Sequence, residues 1–490
     1  MVSDLFPASL PNWIGGEQVQ ALAGETFAKV SPHDGRLLAR VARSRAEDVS
    51  AAIAAAKSAY ETWSILPPVQ RGDILFSIAS ALRARREDVA RVVAIETGKS
   101  LANALGETDG AIALALFMAG EGQRLYGRTT TSGTPNKYAM TVRQPLGVAG
   151  LIIAANTPIA NAAWKVFPAL VCGNAAVLKA AEDTPATAWI FARIAGEAGL
   201  PPGVLNVVNG LGEEAGAPLV AHPDVAVISF TGSTAVGREI AVVAGRRLAR
   251  VSLELGGKNP FIVCDDADLA QAVKWALLSA FSNAGQRCAS GSRIIVFDAV
   301  YERFRDLLVE RASRLRVGPA DDDDFGPVIN EEQLSWMLAA VDAVLARGAT
   351  VLCGGKRLMD PDRAAGFYMA PTLIENVTGS DEISHTELFG PISCLYRVRD
   401  FDEALALAND SPYGLTACIH TASVHRALEF TRRIQSGVAM VNAGTFGSEP
   451  HMPFGGVKQS GNGSREPGTE ALDIYSNLKD VYMSVFPDSL

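Results

Sequence analysis

From Gly147 onward the chain alternates short apolar strands with helices, and this rhythm constrains the fold more than any other feature. VAGLIIAA (148–155), AAVLKA (175–180), VLNVVN (204–209) and VAVISF (225–230) read as strands, with helices over 162–171 and 187–198 between them. Strands that are apolar on both faces and joined by helical crossovers form a parallel sheet covered on both sides by helices. A second set starts at Asn259, with NPFIVC (259–264) and SRIIVF (292–297) as strands and 267–282 and 300–315 as helices. Upstream, apolar residues at three- and four-residue spacing predict helices over 46–63 and 69–97. No internal repeat is visible.

A chain of 490 residues is too long for one core, since domains usually hold roughly 100 to 200 residues. Its 48% hydrophobic and 20% charged residues are those of a chain that folds throughout. With a net charge of -9 and no basic tract, nucleic acid is not an expected partner. No apolar run reaches the ~18 residues a bilayer demands. The opening MVSDLFPASLPNW has an early acid and prolines where a signal peptide needs helix, so a cytoplasmic location is expected. Six cysteines (172, 264, 288, 353, 394, 418) never form CxxC, and the histidines show no HExxH, so reduced thiols and no metal site are expected. The acidic run Asp321 to Asp324 reads as a solvated loop.

Cys288 lies in GQRCAS (285–290), a small-residue segment between a helix and a strand. A thiol there can act as a nucleophile once its thiolate is stabilised, although a lone cysteine is more often a small buried hydrophobe. Glu254 in LELGGK (253–258) precedes two glycines that permit close backbone approach, and a buried glutamate with a raised pKa serves as a general base; the same segment reads equally well as a helix cap or strand end. Asn156, past the strand VAGLIIAA and before Thr157 and Pro158, can donate to an oxyanion together with the Cys288 N–H, or can be an ordinary turn residue before proline. In FTGSTAVG (230–237) a strand meets a glycine turn and a helix start, where free N–H groups and Ser233 can receive a phosphate. GLGEEAG (210–216) has the wrong spacing for a dinucleotide fingerprint and reads as a turn. Lys179 and Glu182, in VLKAAEDTP, follow a strand at the carboxyl edge of the sheet and can hold ribose hydroxyls; a carboxylate there repels a 2'-phosphate and favours NAD over NADP.

In order and spacing these segments resemble the aldehyde dehydrogenase superfamily over essentially the whole chain. LELGGK and GQRCAS match its glutamate and nucleophile segments, with 34 residues from Glu254 to Cys288. FTGSTAVG, ELFGPI (387–392) and PFGGVKQSG (453–461) follow the family order. The resemblance implies Cys288 as nucleophile, Glu254 as base and Asn156 as oxyanion donor. It places Lys179 and Glu182 at the adenosine ribose, Gly232, Ser233, Gly237 and Gly256 along the cofactor, Glu387 at the nicotinamide ribose, and Phe389 against the nicotinamide. Trp164 would border a substrate tunnel.

The implied architecture is an α/β fold in three parts: a Rossmann-like NAD-binding domain (1–123 and 144–256), a second α/β catalytic domain (257–460) and a small β oligomerisation arm (124–143 and 474–490). Such an arm exposes an edge strand, which implies a homodimer or homotetramer. The implied reaction is NAD-dependent oxidation of a small aldehyde to its acid through a cysteine thiohemiacetal and thioester. The rivals are transfer of the thioester to coenzyme A and a non-catalytic protein sharing the fold.

The chain departs from many relatives at Ala155 and Thr157, and SGNGSREPG is one residue longer than the common pattern, which leaves Glu466 without an assigned role. AGTFGSEPHM (443–452) is expected to shape the substrate mouth and resembles the segment of bacterial semialdehyde dehydrogenases of sugar-acid breakdown, which implies a ketoglutarate-semialdehyde-like substrate. Arg124 and Asn161 are candidates for an oxygen-rich or acidic substrate, or for a surface or interface.

Overall fold

The computed structural model describes residues 6–486; the first five residues and the last four of the expected 474–490 segment lie outside the described residues. Two seven-stranded sheets organise it. The first runs in the order Arg250–Glu254, Val225–Thr231, Val148–Ile152, Ala175–Lys179, Leu205–Val208, Asn12–Ile14, Glu17–Val19. Its first five strands are parallel, and the N-terminal pair adds an antiparallel edge. Successive side chains alternate across it: Ala149, Leu151, Ala176 and Leu178 enter one core, Val148, Ile152, Ala175 and Val177 the other. Burial on both faces is why these strands read as continuous apolar runs.

The second sheet has the order Thr350–Cys353, Thr372–Glu375, Ile392–Val398, Gly291–Phe297, Asn259–Val263, Thr416–His420, Val438–Val441, with only the first pair antiparallel. A third sheet projects from the body: Ser476–Ser484 pairs antiparallel with Lys137–Pro145, which also pairs with Thr129–Thr131. Ser476–Ser484 is one of its two edges and exposes Leu478, Tyr482 and Met483.

The helix Ala46–Trp63 has the expected bounds, but the single helix expected over 69–97 is two, Pro68–Ala84 and Arg86–Thr97. Arg85 leaves the helical region (φ -109°, ψ 22°) between them. Both halves bury one apolar face, Leu75, Ile78 and Leu82 in one and Val89, Val92 and Val93 in the other, so periodicity carries across a break made by one residue. The strand expected over 148–155 ends at Ile152, which leaves Asn156 in a bend before the helix Pro158–Val171. GLGEEAG is one turn of π-helix, Gly212–Gly216, whose Glu214 pairs with Arg43 at 2.7 Å. The acidic run is an exposed loop in which Asp322 meets Arg316 at 2.8 Å.

The second sheet carries a buried cation that links it to the site. Arg293, on the strand Gly291–Phe297, donates to the carbonyls of Leu407 (2.9 Å), Ala408 (2.7 Å) and Asp410 (3.2 Å) at the end of the helix Phe401–Asn409. Its Nε donates to the Lys258 carbonyl at 3.0 Å, fixing the end of LELGGK. Arg293→Met leaves these acceptors unsatisfied in the interior, and a loss of about 3 kcal/mol is expected. Urea unfolding followed by tryptophan fluorescence measures it, and an unchanged midpoint would refute this role.

Candidate active site

Cys288 sits on a loop whose shape is set before it is reached. The helix Leu269–Phe281 ends, and Asn283, Ala284 and Gly285 follow in the left-handed region at φ 57°, 54° and 67°. Gly285 has no alternative, since a Cβ there would lie 2.1 Å from the Gly390 carbonyl oxygen. The loop is then tied from several sides. Asn259 Nδ2 donates to the carbonyls of Cys288 (2.7 Å) and Ser290 (2.9 Å), and Thr445 Oγ1 donates to that of Ala289 (2.5 Å). Gln286 accepts from the Ile329 N–H at 2.9 Å. The Cys288 N–H has no protein acceptor among the described residues. Burial pushes the thiol up to about 12, and the charges of Glu387 and Glu254 push the same way, so both carboxylates lie within electrostatic reach of the sulfur.

Glu254 ends the strand Arg250–Glu254 and is 5% exposed, yet neither carboxyl oxygen has a hydrogen-bond partner. Burial, with the neighbouring Glu466 charge, raises its pKa well above the usual carboxylate value, against the pull of Lys165 and Arg465. Such a group is suited to take a proton from water at neutral pH. Glu466, left without a role by the sequence, lies behind it. Its carboxylate is fully buried against Lys165 at 3.0 Å and accepts from Ser229 (2.6 Å) and Ser252 (3.0 Å). Sequence reasoning missed Lys165; its signal was a lysine within the otherwise apolar NAAWKVFPAL.

The oxyanion candidate approaches from the other side. Asn156 Nδ2 donates to the Gln286 carbonyl at 3.0 Å, two residues before the thiol, with its second N–H still available. Asn161, a substrate candidate from the sequence, instead lies 3.4 Å from Asn156 Oδ1 and 3.1 Å from Thr157 Oγ1. Arg124 is committed to Glu121 at 2.5 Å. Trp164 packs edge-on against Phe454 of PFGGVKQSG, with ring centroids 5.3 Å apart.

The cofactor candidates fall into three places. At the carboxyl end of the first sheet, Lys179 is buried and meets the half-exposed Glu182 at 2.9 Å; burial lowers the Lys179 pKa while Glu182 raises it. Next along that edge, Ser233 caps the helix Thr234–Gly245 by accepting from the Val236 N–H at 3.4 Å, which leaves its hydroxyl hydrogen free. The first-turn N–H groups have no intrahelical partners and favour an anion. The Gly232 N–H is not among them, because it donates to the Glu254 carbonyl at 3.1 Å. Gly237 packs closely on a neighbour, as a Cβ would lie 2.5 Å from Leu255 Cδ2 and the leucine side chain would have to shift. At the third place, Glu387 accepts from the Gly257 N–H at 2.9 Å, and burial raises its pKa to about 7. A Cβ on Gly256 would lie 2.0 Å from Glu387 Oε2. Phe389 follows at φ 55°, a rare conformation for a bulky residue, and lines a cavity with Glu387, Gly257, Lys258 and Arg287.

Comparison with known proteins shows the family. The model of the aldehyde dehydrogenase family matches residues 19–481. An α-ketoglutaric semialdehyde dehydrogenase of Bacillus subtilis is 39% identical over 475 residues, 96% of this chain and 97% of that protein. An α-ketoglutarate semialdehyde dehydrogenase of Haloferax volcanii is 38% identical over 96% of this chain and 98% of its own length. Among solved structures, betaine aldehyde dehydrogenase from Staphylococcus aureus in complex with NAD+ superposes with a TM-score of 0.96 at 33% identity, covering 99% of this chain and 97% of that one. With sequence and fold matched almost from end to end, this chain belongs to the aldehyde dehydrogenase family, enzymes that oxidise aldehydes.

Proposed function

We propose that the chain oxidises a short aldehyde bearing a carboxylate, a semialdehyde of the α-ketoglutarate type, to the diacid with NAD, using Cys288, Glu254 and Asn156. The Cys288 thiolate attacks the aldehyde carbon, and the oxyanion of the hemithioacetal receives hydrogen bonds from Asn156 Nδ2 and the Cys288 N–H. The nicotinamide, when bound, accepts the hydride. Glu254 then takes a proton from a water that attacks the thioester carbonyl, and collapse releases the acid and the thiolate. The isolated, buried Glu254 carboxyl supports water as the acyl acceptor over coenzyme A.

The observation that carries the substrate class is Arg287, next to the nucleophile. Its guanidinium lies over the Phe446 ring at 4.8 Å, its Nε is buried, and it has no hydrogen-bond acceptor among the described residues. Glu107, whose charge it feels, is already tied to Lys99. A largely desolvated cation without an acceptor favours a carboxylate. The semialdehyde dehydrogenases of Bacillus subtilis and Haloferax volcanii support the same class.

Glu182 supports NAD over NADP. The helix start at Ser233 and the cradle formed by Gly256 and Glu387 suit its pyrophosphate and nicotinamide ribose. The unpaired edge Ser476–Ser484 supports a homodimer or homotetramer. The six free cysteines fit a reducing cytoplasm.

A panel of neutral and carboxylate-bearing aldehydes with NAD or NADP, without coenzyme A, tests the proposal through absorbance of the reduced cofactor. Turnover is expected with NAD and to be lost in Cys288→Ala. In Arg287→Leu the KM for the semialdehyde acid rises about tenfold or more, as for loss of a charged hydrogen bond, while neutral aldehydes are unaffected. Equal effects on both would sink the substrate assignment. The thiol makes a separate prediction: alkylation by iodoacetamide in the free enzyme should accelerate through the alkaline range without levelling off, because the pKa is raised. Glu387→Gln removes a negative charge near the sulfur, lowers that pKa and shifts the profile to lower pH; a shift the other way would contradict it.

A further inference from the structure

Asn156 lies in the irregular segment between the strand Val148–Ile152 and the helix Pro158–Val171, where no regular backbone ladder fixes its position. It is fixed by residues distant in sequence. The Asn156 carbonyl accepts from Lys99 Nζ at 2.7 Å and from Asn283 Nδ2 at 3.2 Å. The same Lys99 ammonium meets Glu107 Oε2 at 2.6 Å, and these side chains are only 3% and 5% exposed. Glu107 Oε1 accepts from the N–H groups of Ile159 (3.0 Å) and Ala160 (3.3 Å), in the first turn of the following helix, which has no side-chain cap of its own. The pair therefore grips both sides of Asn156, its own carbonyl on one and the start of the next helix on the other. With Asn161 near Asn156 Oδ1, the amide Nδ2 is turned to the nucleophile loop.

A pair present only for stability could bind any backbone carbonyl. This one spans the peptide that carries the oxyanion donor and leaves one amide N–H available for the reaction, and misplacement of a reacting group by about 1 Å can cost roughly a hundredfold in rate. We propose that Lys99 and Glu107 are positioning residues that hold Asn156 at the distance and angle required by the oxyanion. The inference rests on the reading of Asn156 given above. Neither side chain touches the aldehyde or the thiol; both act through Asn156.

The test is a double-mutant cycle on the intact enzyme, reading the single-turnover burst of reduced cofactor with a deuterated aldehyde, and cofactor affinity by fluorescence titration. Asn156→Ala is expected to slow the burst about a hundredfold or more, as loss of an oxyanion donor does. Lys99→Met should slow it about tenfold to a hundredfold with cofactor affinity unchanged. Glu107→Gln, which keeps an acceptor for the two N–H groups but loses the charge, should fall between wild type and Lys99→Met. Combined with Asn156→Ala, Lys99→Met should add nothing, because the group it positions has gone. Multiplying factors would show that Lys99 acts elsewhere, and an unchanged burst in Lys99→Met would show that it positions nothing; either overturns the proposal. If Asn156→Ala itself is fast, the oxyanion reading falls first and separately. Should Lys99→Met fail to fold, Lys99→Arg and Glu107→Gln carry the same cycle, and multiplication by either again rejects the proposal.

Discussion

Gly256 and Gly257 let three chain segments meet where ordinary residues would hold them apart. A side chain at Gly256 would strike the Glu387 carboxylate, and one at Gly257 would lie 2.4 Å from the Cys288 carbonyl. Through this gap the end of the first sheet reaches the nucleophile loop of the second, with the Gly257 N–H holding Glu387. The antiparallel bridge from Glu254 to Gly461 adds the C-terminal segment to the same point. The site is thus a junction: Glu254 ends a strand of one sheet, Cys288 precedes a strand of the other, and neither sheet alone brings them together.

At that junction the electrostatics are those of buried charges under control. Lys165 with Glu466 and Lys99 with Glu107 are nearly inaccessible ion pairs, each further bonded to hydroxyls or backbone groups. Burial of such pairs is costly unless further hydrogen bonds offset it, and here each lysine has a second acceptor and each carboxylate has further donors. Glu254 differs from these pairs, with both oxygens unpartnered, and the buried Lys29 Nζ and Arg287 Nε likewise have no hydrogen-bond partner. Of these, Glu254 and Arg287 belong to the surroundings of the Cys288 thiol, and perturbed buried charges cluster at functional sites.

The alternation of strands and helices was legible in the sequence because the strands are apolar on both faces, as in VAVISF and NPFIVC. A break at one residue, Arg85, was not, since periodicity cannot register a single residue leaving helical geometry. The nucleophile and base candidates were legible as motifs because close approach of backbone demands glycine at Gly257 and Gly285. Lys165, Lys99 and Glu107 were silent: the partner of Lys165 lies 301 residues on, and Lys99 and Glu107, though only 8 residues apart, show their role only when folding brings them to Asn156, 57 residues beyond Lys99. Glu466 was obscured by the extra residue in SGNGSREPG, yet in space it reaches Lys165 and lies behind Glu254. Arg124 was open between substrate and surface, and it is half-exposed just past the helix Leu101–Glu121, held by Glu121 at the end of that helix.

The central claim is that Cys288 is acylated during turnover and that Glu254 frees it. Mass spectrometry of Glu254→Gln mixed with aldehyde and NAD, quenched in acid and digested, tests this most directly. The account predicts that the peptide containing Cys288 carries the acyl group of the aldehyde at close to one per chain and holds it long after the wild-type protein has released it. An unmodified Cys288 peptide, with reduced cofactor still formed at the wild-type rate, would contradict it.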